Sequence, residues 1–171
     1  MKKFLLTIQI VSSVLSLVSK YFLATENIWG WWIAVFAYIL VAIYNAKANL
    51  KIYSLIGVSL ALLTFYGGCK WSAGIQGLGL FDYIVVAATI FTTFYFAIQG
   101  SKFKKPLWIH QTVGVAVFMA SFLLLGWGID WGWLGLAIGH AINVYIYFRG
   151  KAYWYFVLQI FSIFVALAKI L

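Results

Sequence analysis

In a chain this apolar, the residues able to do chemistry are few, and they fall at helical spacing. Trp133, His140, Asn143 and Tyr147 are separated by seven, three and four residues, which puts them on one face of a helix. Gly132, Gly135 and Gly139 take the opposite face. Downstream, Tyr155, Gln159 and Ser162 align by the same rule, and upstream so do Trp31, Tyr38 and Asn45. Indole and phenol faces, combined with amide and imidazole groups, suit a planar, polar small molecule held by stacking and hydrogen bonds. The expected binding set is Trp31, Tyr38, Trp133 and Tyr155 as stacking walls, with His140, Asn143 and Gln159 as hydrogen-bonding groups.

Other chemistries find little to work with. The chain holds no Ser-x-x-Lys, Gly-x-Ser-x-Gly or His-Glu-x-x-His pattern, and neither His110 nor His140 has a carboxylate nearby in sequence to orient it. No enzyme activity is expected. Cys69 is the only cysteine, which excludes an internal disulfide and a cysteine metal cluster. No metal and no cofactor is expected; a haem held by the two histidines is the redox alternative.

These residues must be positioned by helices that cross a membrane. Seven apolar stretches, near 4–22, 28–45, 52–69, 78–98, 106–127, 131–148 and 152–170, fill the 171 residues almost end to end. Each approaches the roughly 20 residues needed to span about 30 Å of hydrocarbon. Nothing alternates as barrel strands would, so the expected fold is an all-α polytopic membrane protein, a single domain over 1–171. Its opening, with Lys2 and Lys3 before an apolar run, imitates a secretory signal, but the run continues through Leu23 and reads as the first transmembrane helix. Pro106 falls at the start of the fifth helix, where its missing N–H costs nothing.

The connecting charges then give orientation. One side collects Lys2, Lys3, Lys47, Lys51, Lys102, Lys104, Lys105, Arg149 and Lys151 with no acid, and the other takes Lys20, Glu26, Lys70, Asp82, Asp130 and Lys169, which cancel. Cytoplasmic loops carry the Lys/Arg excess, so the N-terminus is expected inside and the C-terminus outside, in a cell's inner (plasma) membrane. The net charge of +9 is thereby a matter of the lipid bilayer rather than of nucleic acid.

An internal echo organises the helices further. WGWWIAVFAYILVAIYNAK from Trp29 and WGWLGLAIGHAINVYIYFRGK from Trp131 lie 102 residues apart, and at that offset Lys47 meets Arg149 and Tyr53 meets Tyr155. Helices two and three thus match six and seven, which predicts a 3+1+3 arrangement of parallel repeats: about 4–71, a linker helix at about 78–98, and about 106–171.

The stretch ENIWGWWIAVFAYILVAIYNAKANLKIYSLIGVSLALLTFYGGCKW, with Tyr66, Gly67 and Trp71 at its end, resembles the first repeat of PnuC-type vitamin transporters, the nicotinamide riboside carriers. YIYFRGKAYWYFVLQIFSIFVALAKIL is similar to that family's second repeat. The resemblance covers roughly 4–71 and 131–171 and implies a seven-helix relative of the SWEET sugar carriers. It also implies a homo-oligomer and facilitated uptake of nicotinamide riboside or a related vitamin, trapped afterwards by a cytosolic kinase. The family's polar binding positions would fall at Gly57, His140 or Asn143, and Gln159, with glycine standing where an amide is expected.

Glu26, Asp82 and Asp130, the only acids, are expected at helix ends or in loops, which leaves His140 as the one ionisable group at membrane depth. The function expected is therefore alternating-access facilitated diffusion of a small planar vitamin-like metabolite, uncoupled from ions. The alternatives are transport of a thiamine-like vitamin or a sugar, a non-transporting membrane scaffold, and a haem or redox protein.

Overall fold

Long apolar runs leave the backbone no partner but itself, and among the described residues every regular element is an α-helix. The computed structural model describes residues 2–47, 51–75, 78–102, 107–149 and 153–171. Lys104, Lys105, Pro106 and Lys151 lie outside the described residues. Seven helices follow in order: α1 (Lys2–Ala24), α2 (Trp29–Lys47), α3 (Lys51–Ser72), α4 (Leu80–Lys102), α5 (Trp108–Gly126), α6 (Trp131–Arg149) and α7 (Tyr153–Ile170). Four of them, α1, α2, α4 and α5, are long and apolar enough to cross a membrane. Of the others, α6 is made more polar by His140 and Asn143, and the described apolar part of α7 spans only Tyr155–Ile170.

Helix order along the chain is kept in space, with α1 on α2, α2 on α3, α5 on α6 and α6 on α7. Two further packings, α1 on α7 and α3 on α5, close the bundle, and α4 lies against α5 and, more lightly, α3. Leu23, Trp31, Leu60, Met119, Phe122 and Leu136 belong to one buried cluster. Many large apolar side chains stay exposed instead, Phe36, Leu62, Phe91 and Phe164 among them, as helices facing lipid require.

The local geometry at the ends of α1 and α5 recurs at the 102-residue offset. After α1, Glu26 N–H donates to Leu23 O (2.9 Å) and Asn27 N–H to Phe22 O (2.8 Å). After α5, Gly128 N–H donates to Leu125 O (3.0 Å) and Ile129 N–H to Leu124 O (2.9 Å). Both are Schellman closures with a left-handed residue, Glu26 at φ 58° and Gly128 at φ 75°. The glycine that opens the next helix is then packed identically. A Cβ on Gly30 would lie 2.7 Å from Ser19 O and Leu23 Cγ, and one on Gly132 would lie 2.7 Å from Ser121 O and 2.6 Å from Leu125 Cγ. Only glycine lets the two backbones approach this closely.

Lys20 departs from the sequence expectation in its burial. Counted among the outer-side charges, it is 2% exposed, and α1 continues four residues beyond it. The helix runs on because Tyr21, Phe22 and Leu23 keep it apolar past the lysine, and the stem buries with them.

A polar cavity inside the helical bundle

A cavity of about 470 Å³ opens among the helices, within the range typical of small-molecule sites. Its walls come from the middle of α1, the second half of α2, the first halves of α3 and α7, and parts of α5 and α6 around Phe118 and His140, with Phe96 from α4. Depth runs from Tyr44, Tyr53 and Tyr147 to Ser16, Tyr38, His140 and Ser162, which lie nearer the helix midpoints.

Five of the seven residues expected in the site meet here: Tyr38, His140, Asn143, Tyr155 and Gln159. His140 is 3% exposed; its Nδ1 hydrogen-bonds Gln159 Oε1 and its ring sits edge-on to Phe118 with centroids 4.8 Å apart. With the Gln159 amide oxygen assigned toward Nδ1, the matching tautomer has Nδ1 as donor and Nε2 as acceptor. Nε2 has no partner, although it is buried. A buried acceptor without a hydrogen bond carries a desolvation cost that a bound donor removes.

Tyr155 stacks on Tyr147, centroids 5.0 Å apart and planes 23° from parallel, so one of its faces is already covered. Asn143 also lines the cavity, and a Cβ on Gly114 would sit 3.7 Å from its Oδ1. Tyr53 Oη donates to Gln111 Oε1 at 2.5 Å and joins α3 to α5 along the wall. Gly57 reaches the wall as well, and a Cβ there would come within 2.8 Å of the Ala42 backbone nitrogen. The α2–α3 approach therefore demands glycine where the resemblance leads one to expect an amide.

The two tryptophans of the expected set lie elsewhere. Trp31 is fully buried, with Gly67 and Trp71 of α3 and Phe122 of α5 against its ring, and lines no cavity. Trp133 faces a second recess of about 350 Å³ at the opposite end of the bundle, shared with Glu26, Asp130 and Lys169. At that end, Lys169 Nζ meets Glu26 Oε1 at 2.7 Å, and the lysine, as first cause, holds the Glu26 carboxyl below its usual range. Beside this recess, Trp71 Nε1 donates to Leu125 O (3.0 Å), and nearby Trp127 Nε1 donates to Tyr66 Oη (3.0 Å), each joining α3 to α5 or its end.

Sequence reasoning missed the wall from α1. Gln9, Ser12, Ser13 and Ser16 all line the cavity, and Lys20 continues their line. The signal was present, since Ser12, Ser16 and Lys20 stand at i, i+4 and i+8 in an otherwise apolar helix. Lys20 Nζ donates to Ser16 O (3.0 Å) and Ser16 Oγ (2.8 Å). Its burial means that His140 is not the only ionisable side chain inside the bundle.

His110, the other half of a two-histidine haem site, is exposed and packs its ring on Tyr145 at 5.0 Å. Among the described residues no three His, Cys, Asp or Glu side chains cluster as metal ligands. Comparison with family models, with curated proteins and with solved structures yields no match for this chain.

Proposed function

We propose that this protein is an alternating-access membrane transporter that carries a small planar, vitamin-like metabolite by facilitated diffusion. The observation that carries the reading is the cavity, aromatic along its length and ending at an unpartnered His140 Nε2 and the Gln159 amide. An acceptor aimed into an accessible polar chamber is a group that a bound donor can complete, which favours a ligand site over a scaffold.

The remaining parts of the proposal fit together. All seven helices cross the membrane in a 3+1+3 plan, with α1–α3 and α5–α7 as parallel repeats and α4 as linker. The recurrence of the Schellman turns, of the Gly30 and Gly132 approaches and of the α1–α7 and α3–α5 packings supports that plan. The N-terminus is inside and the C-terminus outside, in the plasma membrane, by the charge bias of the connections. In that orientation the cavity faces the cytoplasm, and the Glu26–Lys169 pair helps close the outer end. The resemblance to PnuC-type carriers makes nicotinamide riboside the first ligand to test, with a cytosolic kinase trapping it and a homo-oligomer as the assembly.

Isothermal titration calorimetry of purified protein with nicotinamide riboside, thiamine and glucose tests the reading, because among the described residues the cavity walls carry no tryptophan to report by fluorescence. Saturable binding of the riboside, weakened in Asn143→Ala and Gln159→Ala variants that still fold, is the expected result. No response to any of the three ligands sinks the vitamin reading. Riboside uptake into vesicles that collapses when the proton gradient is dissipated sinks the uncoupled mechanism.

A further inference from the structure

We infer that the deep end of the cavity is built for an anion, so that the transported molecule is a flat ring carrying one carboxylate. This rests on the cavity being the transport site and differs from the family resemblance in the charge of the ligand. Lys20 is 2% exposed and its hydrogen bonds go to Ser16 alone. A buried ammonium is normally matched by a carboxylate, and this chain has only three to offer. Glu26 is committed to Lys169, Asp82 to Lys70 at 2.9 Å, and Asp130 lines the far recess. No carboxylate of this chain is left for Lys20, and a bound anion is the counter-charge we infer.

The route from Lys20 to the cavity is short. Ser16 Oγ accepts from the ammonium at 2.8 Å, and Ser16 lines the cavity with the Tyr38 hydroxyl beside it. A hydroxyl that accepts from a cation is a stronger donor in turn, so this pair directs donors toward a ligand acceptor. One ammonium balances one negative charge, which favours a monocarboxylate over a phosphate dianion.

The opposite wall explains the flat ring. At the 102-residue offset Ser12, Ser13, Ser16 and Lys20 correspond to Gly114, Val115, Phe118 and Phe122. Phe118 lies against His140, and Phe122 lies edge-on to Tyr38 with centroids 5.7 Å apart. The α1 side of the chamber is hydroxylic with Lys20 behind Ser16, and the α5 side presents Phe118 with Phe122 packed behind Tyr38, so a ring with an anionic edge meets both at once. The bare His140 Nε2 is an acceptor and takes a hydroxyl or amide N–H of the ligand rather than its carboxylate.

One ring in three charge states tests this directly: pyridine-3-carboxylate, pyridine-3-carboxamide and nicotinamide riboside, titrated against purified protein by isothermal titration calorimetry. The carboxylate should bind at least about tenfold more tightly than the carboxamide, a difference of about 1.4 kcal/mol. Lys20→Met should abolish that preference and Lys20→Arg should keep it, each variant being checked by thermal melting. Should Lys20→Met fail to fold, Ser16→Ala removes the relay alone and should shrink the preference. Equal binding, tighter binding of the amide or riboside, or a preference that survives Lys20→Met or Ser16→Ala overturns the charge assignment and leaves the transport reading standing. Failure of all three ligands to bind overturns both.

Discussion

Gly30→Ala and Gly132→Ala put one methyl group into each of the two closest helix approaches. At Gly30 the new carbon would lie 2.6 Å from Leu23 N and 2.7 Å from Ser19 O, and at Gly132 it would lie 2.7 Å from Ser121 O. Backbone atoms cannot rotate aside, so the helices must part, which belongs toward the upper end of the roughly 1–3 kcal/mol that overpacking costs. Alanine recovers up to about 1 kcal/mol of that through its better helix propensity. The net loss is about 2 kcal/mol for each variant, and at this chain length it lowers the melting midpoint by about 4–8 °C. Gly100→Ala is the control, because its Cβ would meet Trp108 Cβ at 3.4 Å, an ordinary contact, and the propensity gain stands alone. Thermal melting of the three variants in one detergent decides the matter. Midpoints for Gly30→Ala and Gly132→Ala indistinguishable from that of Gly100→Ala would refute the packing argument. A fall in only one of the pair would refute the equivalence of the two helix starts.

Three further outcomes follow from the same structure. Gln159→Ala leaves both nitrogens of His140 without a protein partner, and ligand affinity should fall about tenfold, or about 1.4 kcal/mol, with the fold retained; calorimetric titrations check this. Asp82→Asn removes the carboxylate that Lys70 Nζ meets at 2.9 Å and should lower the melting midpoint, with recovery in the Lys70→Met, Asp82→Asn double variant. Because Lys169 lowers the folded-state pKa of Glu26, the pair's contribution is complete above the ordinary carboxylate value of about 4.3 and disappears as pH falls through the folded value. The difference in melting midpoint between wild type and Glu26→Gln should therefore be largest near neutral pH and vanish in acid; a constant difference would show that the ion pair is not responsible.

Much of the architecture was legible before any coordinates. Apolar runs of membrane length specify helices whatever their neighbours, because backbone groups without water must bond within their own segment. The expected stretches differ from the observed helices by a few residues at most, and the differences sit at ends such as Ala24 and Lys102, where the helix continues a little beyond the expected stretch. The repeated Trp-Gly-Trp openings were equally readable, since Gly30 and Gly132 mark backbone approaches that no larger residue allows.

What the sequence alone determined is which residues share a helical face, because that follows from a fixed period of 3.6 residues. Tyr38, His140, Asn143, Tyr155 and Gln159 were found in this way. Only tertiary structure decided which faces look at one another, and from how deep. Trp31 has the same spacing as Tyr38, yet it is sealed between Gly67 and Phe122, while Trp133 serves the opposite recess. Lys20 reads as an outer-side charge in one dimension and becomes a buried cation behind Ser16 once α1 packs on α2 and α7. Periodicity gives an angle around one helix axis; burial and partnership depend on the distance to another axis, which is set by the glycines and rings of residues remote in the chain.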